Sequence, residues 1–441
     1  QSVSATLDDF DADFYRTAYP ESAANPEEHF IKIGRAMGRP GRRPELAPSD
    51  AINRLNPLKQ NILLICHDCS RSGCPILTWN IARQLRSRFN VILLPLQGGE
   101  LETSFQEVAD LALNPFPDAY SPEVASAVLA PFLQSVTVDL AIANSIVTRS
   151  VLPILASKGI PTLCLVHEFA RYVQPSSAPL EVQLWASRMI FSAAIVHADS
   201  VAHCPELAAI PPIIIPQGKC LSPDSDRNST NRMGNEHLPT LLKPTDSTEQ
   251  AITILGVGKV EMRKGVDLFI SCCARLKVLC PSHSFRFIWA GSGFRPQEDL
   301  NYSIYLADQI ERIELTEEFT FLGEVSDIDT VYECADLLFL SSRLDPLPNV
   351  AIEAMAAGLP VICFAETTGI AEILNMLDLG KKCVAPYLQI EEAATRIAAL
   401  IQQQKLTEIG QLCRKGAEKL FDMATYTDQL VELAEQSRGN L

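Results

Sequence analysis

Two stretches of this chain bring together residue types able to hold an anionic ligand. The first is Gly256-Val257-Gly258-Lys259-Val260-Glu261-Met262-Arg263-Lys264-Gly265, set between an apolar run and an amphipathic one. Glycines let backbone approach an anion, a helix start offers unpaired N–H groups, and Lys259 and Lys264 can reach a diphosphate. The same composition also suits an ordinary strand-to-helix turn, because glycine serves turn geometry. The second stretch runs from Ser341-Ser342-Arg343-Leu344-Asp345-Pro346-Leu347-Pro348-Asn349-Val350 through Glu353 to Pro360. Pro348 suits the first turn of a helix, which would turn the backbone N–H groups from Leu347 to Asn349 and Val350 toward a ligand at the positive end of the dipole. Glu353 then lies about one and a half turns inside, at a depth suited to hydroxyls just beyond a phosphate. Taken singly, Asp345 is equally well explained as a cap and Glu353 as a surface acid.

Other groups invite weaker readings. Cys66-His67-Asp68-Cys69, with Cys74 nearby, has the two-residue spacing of a zinc or redox pair. A structural zinc site needs a second ligand pair, which the sequence does not offer, so no metal is expected. No Asp-x-Asp pair stands directly at the end of a strand-like run to hold a divalent cation for catalysis, and no cofactor is expected either. His167-Glu168 closes the apolar run 161–166. A lone histidine there is most often a hydrogen-bonded structural residue, although strand ends are also where open α/β sheets bind ligands.

Elements that could position these groups follow from the apolar pattern. Short apolar runs at 61–66, 91–96, 138–143, 161–166, 193–198 and 211–216, flanked by amphipathic stretches, read as buried parallel strands with crossover helices. The pattern restarts at 252–257, 285–290, 319–322, 336–341 and 360–364. Between the first two of these, Val266, Phe269, Ile270, Cys273 and Leu276 share one helix face. The fold class is therefore α/β, two Rossmann-like doubly wound domains, with ligands expected in a crevice at their strand ends. Asn25-Pro26-Glu27-Glu28 is a helix start and Gly38 with Pro40 a stop, so residues 8–43 form a compact helical prefix. The expected division is a helical extension over 1–50, a first Rossmann-like domain over 51–220, a polar linker over 221–250, a second domain over 251–424 and a C-terminal helix over 425–441.

Composition narrows the function. At 441 residues, with 47% apolar and 20% charged, the chain can bury two cores. A net charge of -16 disfavours a nucleic-acid partner. Thirteen cysteines, an odd number scattered through apolar runs, suit a reducing compartment, and no apolar stretch reaches bilayer-spanning length. The expected location is cytoplasmic. Lys32, Arg35, Arg39, Arg42 and Arg43 leave open a peripheral contact with the inner face of a membrane, although a solvated helix face explains them as well.

Taken together, the lysine loop, the acid about eighty residues later, seven intervening residues, Glu353-Ala354-Met355-Ala356 and Gly358-Leu359-Pro360-Val361 resemble the retaining glycosyltransferases of family four, which have the GT-B fold. The resemblance covers residues 61–435. It implies that Glu353 binds the donor ribose, that Asp345 contacts the transferred sugar, and that Lys259 and Lys264 bind the diphosphate. The family usually has arginine where Lys259 stands and glutamate where Asp345 stands; lysine keeps the charge without the bidentate fork, and aspartate is shorter. The stretch His67-Asp68-Cys69-Ser70-Arg71-Ser72-Gly73-Cys74-Pro75 resembles a family loop usually written Gly-Ala-Pro, here altered at Cys74. The resemblance implies that Ser72 and Gly73 border donor phosphate or acceptor, and that His167 and Glu168 match a His-Glu pair at the cleft. Phe10-Asp11-Ala12-Asp13-Phe14-Tyr15 with Tyr19-Pro20 looks like a short module that precedes some polysaccharide glycosyltransferases.

The expected activity is sugar transfer from a nucleotide-diphosphate sugar, a co-substrate, to a glycan, lipid-linked or protein-glycan acceptor. Lys264, Asp345 and His167 are the expected catalytic groups. With neither a side-chain base for inversion nor a carboxylate nucleophile evident, same-face attack with retention is the remaining route, as the resemblance also implies. A catalytically weak glycan-binding or scaffold subunit and a GT-B nucleotide-sugar epimerase are the alternatives.

Overall fold

The computed structural model describes residues 9–172, 187–223, 251–325 and 327–436. The expected linker lies outside the described residues from 224 to 250. The chain divides into two compact units, one made of Gln1–Ser192, Val196–Pro223 and Met423–Leu441, the other of Ala193–Ile195 and Asp224–Asp422.

In the first unit, strands β1 (Asn61–Cys66), β2 (Asn90–Pro95), β3 (Leu111–Ala112), β4 (Leu140–Asn144), β5 (Thr162–Val166), β6 (Arg188–Phe191) and β7 (Ile213–Ile214) form one sheet in the order β3-β2-β1-β4-β5-β6-β7. Every pairing in it is parallel. Ile62 to Cys66 are at most 1% exposed, because a parallel strand covered on both faces has no wet side. The sheet order reverses direction between β1 and β4, which makes their C-terminal ends the natural ligand position.

One expected strand is corrected. Residues 193–198 do not form a strand; β6 lies just upstream at Arg188–Phe191, and Ala194–His203 is a helix that buries Val196, Asp199 and Ser200. That spacing is helical, and a short apolar run alone does not distinguish a buried helix turn from a strand. Strands β3 and, in the second unit, β13 (Val384–Ala385) are two residues long each, too short to leave a sequence pattern.

The N-terminal prefix has an aromatic centre of Phe14, Tyr15, Tyr19 and Phe30, each at most 4% exposed. Asn25 caps the helix Pro26–His29 by accepting from the Glu28 N–H at 3.3 Å. The prefix is held to the segment after β3 and the helix Pro122–Ser135: Tyr19 donates to Asp118 in a turn at 2.8 Å, and Arg43 Nε donates to the helical Ala127 carbonyl at 3.1 Å. The C-terminal helix Met423–Gln436 also belongs to this unit, where Met423, Tyr426, Leu430 and Ala434 join the same apolar cluster as Leu77 and Ile81 of the helix Gly73–Leu85.

The second unit contains β8 (Ile252–Val257), β9 (Phe285–Ala290), β10 (Phe319–Gly323), β11 (Leu337–Leu340), β12 (Val361–Phe364) and β13 in the order β10-β9-β8-β11-β12-β13. The expected helix after β8 is present as Val266–Leu279, with Val266, Phe269, Ile270, Cys273 and Leu276 all at most 1% exposed. Here the order reverses between β8 and β11, the two strands that carry the lysine loop and the Ser341–Pro348 loop.

Candidate functional site

The lysine loop and the Asp345 loop meet at that reversal. Gly265 takes the left-handed conformation at φ 68°, and a Cβ there would stand 2.1 Å from the Ser341 carbonyl oxygen. Only glycine permits this approach, and it brings the loop after β8 against the end of β11. Lys264 Nζ then donates to Asp345 Oδ2 at 2.5 Å. Ser342 Oγ donates to the same oxygen at 3.2 Å, and Arg263 Nη1 donates to Asp345 Oδ1 at 3.3 Å. The side chains of Lys264 and Asp345 are 13% and 7% exposed. Asp345 is thus a buried carboxylate shared by two cations and a hydroxyl. Its own N–H donates to the Thr367 carbonyl at 2.8 Å, which fixes the loop from behind.

A second ion pair frames the first. Arg343 donates to both oxygens of Asp267, at 2.9 and 2.7 Å, and to the Met262 carbonyl at 2.8 Å. Tyr302 donates to Asp267 Oδ1 at 2.6 Å. Burial pushes the Asp267 carboxyl up, but the hydrogen bonds from Arg343 and Tyr302 outweigh it and hold the group below its ordinary value. Arg343 therefore clamps the two loops together.

The other expected donor-site residues lie on the loop after β8 and on the loop and helix after β11. Gly258 adopts φ 146°, and its carbonyl accepts from Trp289 Nε1 at 2.8 Å, so the loop's first turn is pinned to the end of β9. Lys259 is exposed, and among the described residues it makes no hydrogen bond or ion pair. The helix after β11 spans Asn349–Ala357, so Pro348 is its N-cap rather than its first helical residue, and Leu347 lies buried just upstream. The helix start is thus built from Asn349 and Val350. Glu353 sits in the helix's second turn, and its Oε2 accepts from the buried Tyr332 hydroxyl at 2.9 Å. Burial, with the Glu353 charge beside it, holds the Tyr332 phenol well above its ordinary value, so it stays a donor.

The first unit has its own polar cluster at the reversal between β1 and β4. Asn144, the last residue of β4, donates through Nδ2 to the Cys74 carbonyl at 3.1 Å and to Thr78 Oγ1 at 2.8 Å. Its Oδ1 lies 3.0 Å from His167 Nε2. Because the Asn144 amide is spent on those acceptors, Oδ1 must accept, which places the histidine proton on Nε2. Nδ1 of His167 is buried and has no hydrogen-bond partner among the described residues. Burial holds the imidazole below its ordinary value, against the opposing pull of Glu168, so His167 presents a neutral lone pair. Glu168 accepts from the Ile146 N–H at 3.2 Å and from the His167 N–H at 3.4 Å, a loop-holding role. Ser145, between β4 and these contacts, holds a positive φ of 94°, the kind of strain that persists where neighbours enforce it. Ser72 and Gly73 are exposed at the start of the helix Gly73–Leu85, with Ser72 as its N-cap.

Sequence reading did not single out Arg263, Arg343, Tyr332 or Asn144. Arg263 and Arg343 stand inside the quoted loops, and Asn144 ends an otherwise apolar strand, which is a detectable signal. Tyr332 lies on a helix of ordinary composition and leaves none.

With this geometry in place, the fold is that of the GT-B glycosyltransferases: an α/β protein of two parallel, Rossmann-like sheets. Residues 240–416 match the family Glycosyl transferases group 1. A glycosyltransferase from Rickettsia africae aligns over 87% of this chain and 100% of its own, with a TM-score of 0.68 at 17% identity. HepE of Anabaena, solved in complex with UDP, aligns over 86% of this chain and 100% of its own, with a TM-score of 0.66 at 20% identity. In sequence, the chain is 28% identical over 206 residues to mannosylfructose-phosphate synthase of Agrobacterium fabrum. That stretch is 43% of this chain and 44% of the enzyme's length, so the chain matches less than half of that relative. Among the described residues, no helix is long and apolar enough to cross a membrane.

Proposed function

We propose that this protein transfers a sugar from a nucleotide-diphosphate donor to a glycan, lipid-linked or protein-glycan acceptor, with retention at the anomeric carbon and without a metal at the donor site. The observation that carries the reading is the buried Asp345 carboxylate held between Lys264 and Arg263 where the order of the second sheet reverses. Such a reversal is where open α/β sheets bind nucleotides. The match of this unit to group 1 glycosyl transferases supports the same reading.

In this mechanism the leaving diphosphate takes the charge that develops as the glycosidic C–O bond breaks. Lys264 and the N-terminus of the helix Asn349–Ala357 stabilise it, with exposed Lys259 closing on its outer oxygens. Asp345 accepts hydrogen bonds from sugar hydroxyls, and Glu353 accepts them from ribose hydroxyls. The acceptor hydroxyl attacks the same face that the diphosphate leaves, and its proton passes to the departing phosphate oxygen. His167, neutral and with a free Nδ1, orients sugar or acceptor through a hydrogen bond.

Because relatives of this fold have been solved with UDP and UDP-glucose, uridine-linked sugars head the donor screen. Thermal shift against UDP- and GDP-linked hexoses identifies the donor, since binding the folded state raises its melting temperature. NMR of the product then compares the new anomeric linkage with the donor's. Retained configuration, with turnover surviving a chelator, is expected. An inverted product, or a rate abolished by chelation and restored by manganese or magnesium, overturns the mechanism.

A further inference from the structure

We propose that Cys66, His67 and Cys74 form a binding site for a thiophilic divalent cation of the zinc class. One donor atom from each residue, two Sγ atoms and a ring nitrogen, lies within 4.8 Å of the other two. The sequence spacing pointed elsewhere, to Cys66 with Cys69. In the fold, Cys69 is not among the donors that gather; the third ligand comes instead from Cys74, the second residue of the helix Gly73–Leu85. The missing second ligand pair is therefore not required, because an end of β1, a loop residue and a helix start supply three donors between them. Three protein ligands with a fourth position left to water is an established arrangement for zinc.

The histidine is prepared for this role. His67 Nδ1 is buried and has no hydrogen-bond partner among the described residues. Its other ring nitrogen, Nε2, faces the Asp68 carboxylate at 3.5 Å. Asp68 is itself held through Oδ1 by the Ser70 N–H at 2.9 Å and the Ser70 hydroxyl at 2.8 Å. A carboxylate behind one ring nitrogen and a lone pair on the other is how metal-binding histidines are usually oriented.

Charge and size select the cation. Cys66 is fully buried, and two thiolates balance a divalent charge, so the loaded site is neutral where an unpaired charge would be costly. Sulfur donors exclude magnesium and calcium, which take oxygen ligands. Tetrahedral zinc, with bonds of about 2.3 Å to sulfur and 2.0 Å to nitrogen, places its ligand atoms roughly 3.5 to 3.8 Å apart. The donor atoms already lie within 4.8 Å of one another, and Ser72 and Gly73, beside Cys74 in the chain, are exposed. Binding forms two S–metal bonds and one N–metal bond, releases two thiol protons to solvent, and changes no oxidation state.

The test uses the full chain, stripped of metal and kept reduced with a phosphine. Zinc is titrated against a chromophoric chelator, cobalt(II) is used as the spectroscopic probe, and peptide mass spectrometry follows alkylation of the thiols. One equivalent of zinc should bind, cobalt should show sulfur-to-metal charge-transfer absorption, and zinc should protect Cys66 and Cys74 from alkylation. Cys74→Ser and His67→Gln should each weaken binding by roughly a hundredfold or more, and Asp68→Asn by roughly ten- to hundredfold. Cys69→Ser should leave it unchanged. If Cys74→Ser does not fold, as judged by its thermal transition, Asp68→Asn carries the test. No stoichiometric zinc binding, cobalt without the sulfur band, or wild-type affinity in the folded Asp68→Asn variant overturns the proposal.

Discussion

Lys264→Ala separates a donor-binding lysine from one that only closes a loop. The side chain is 13% exposed and its ammonium sits 2.5 Å from Asp345. Stranding a buried charge by removing its partner typically costs about 3–5 kcal/mol. Asp345 would not be stranded, because Arg263 at 3.3 Å and Ser342 at 3.2 Å remain, and the Arg263 side chain is 36% exposed and partly hydrated. The expected loss of stability is therefore smaller, about 1–3 kcal/mol. Against a typical stability of about 5–15 kcal/mol the variant stays folded under assay conditions. A loss of stability of that size does not appreciably lower the rate by unfolding. Removing a cation that meets the departing diphosphate costs about 2–5 kcal/mol, which is roughly 30- to 5,000-fold in kcat/KM. The assay is steady-state transfer from the donor identified by thermal shift, alongside a melting curve of each variant. Lys259→Ala, at an exposed and unpartnered position, should cost less than Lys264→Ala and leave the melting temperature unchanged. A folded Lys264→Ala protein within threefold of wild-type kcat/KM would refute the donor role and leave Lys264 a structural residue.

Glu353→Gln should weaken donor binding by roughly tenfold, because a carboxylate accepts stronger hydrogen bonds than an amide, while the Tyr332 hydroxyl can still donate to the amide oxygen; calorimetric donor titration reads it, and unchanged affinity removes Glu353 from the site. His167 has a folded pKa below its unfolded value near 6.5, so its contribution to stability is complete above that value and is lost as pH falls toward the folded pKa. In that window the slope is about 1.4 kcal/mol per pH unit, and denaturant unfolding at a series of pH values should show His167→Gln with a flatter acid limb; an unchanged limb contradicts the buried neutral histidine. Gly265→Ala combines a left-handed φ with a Cβ placed against the Ser341 carbonyl, and should destabilise by about 2 kcal/mol or more while lowering transfer activity; a wild-type melting curve would show that the two loops need no such approach.

Much of this molecule is written locally. The continuous apolar runs at Asn61–Cys66 and Ile252–Val257 identify buried parallel strands because a strand covered on both faces has no polar side to show. Val266, Phe269, Ile270, Cys273 and Leu276 identify a helix because their spacing is the helical period. The Lys264 and Asp345 loops could be picked out because glycine, proline and charge cluster at strand-to-helix turns. Where the pattern was only six residues long, at 193–198, period and length did not separate strand from helix, and packing next to β6 decided it.

What the sequence left undecided depends on residues far apart in the chain. That Lys264 and Asp345 share a proton-donating contact follows from β8 and β11 being neighbours across the sheet, an adjacency that no local period encodes. Asn144 acquires its role only because β4 ends between the helix that carries Cys74 and Thr78 and the strand end that carries His167. The C-terminal helix has an apolar face that would suit either unit, and its place on the first is fixed by close contact: a Cβ on Gly218 would stand 2.5 Å from the Met423 Cα. Cys66 found its metal-binding neighbours in His67 and Cys74 rather than Cys69 because the loop after β1 turns into a helix start. Sequence spacing measures distance along the chain, and these sites are set by distance through space.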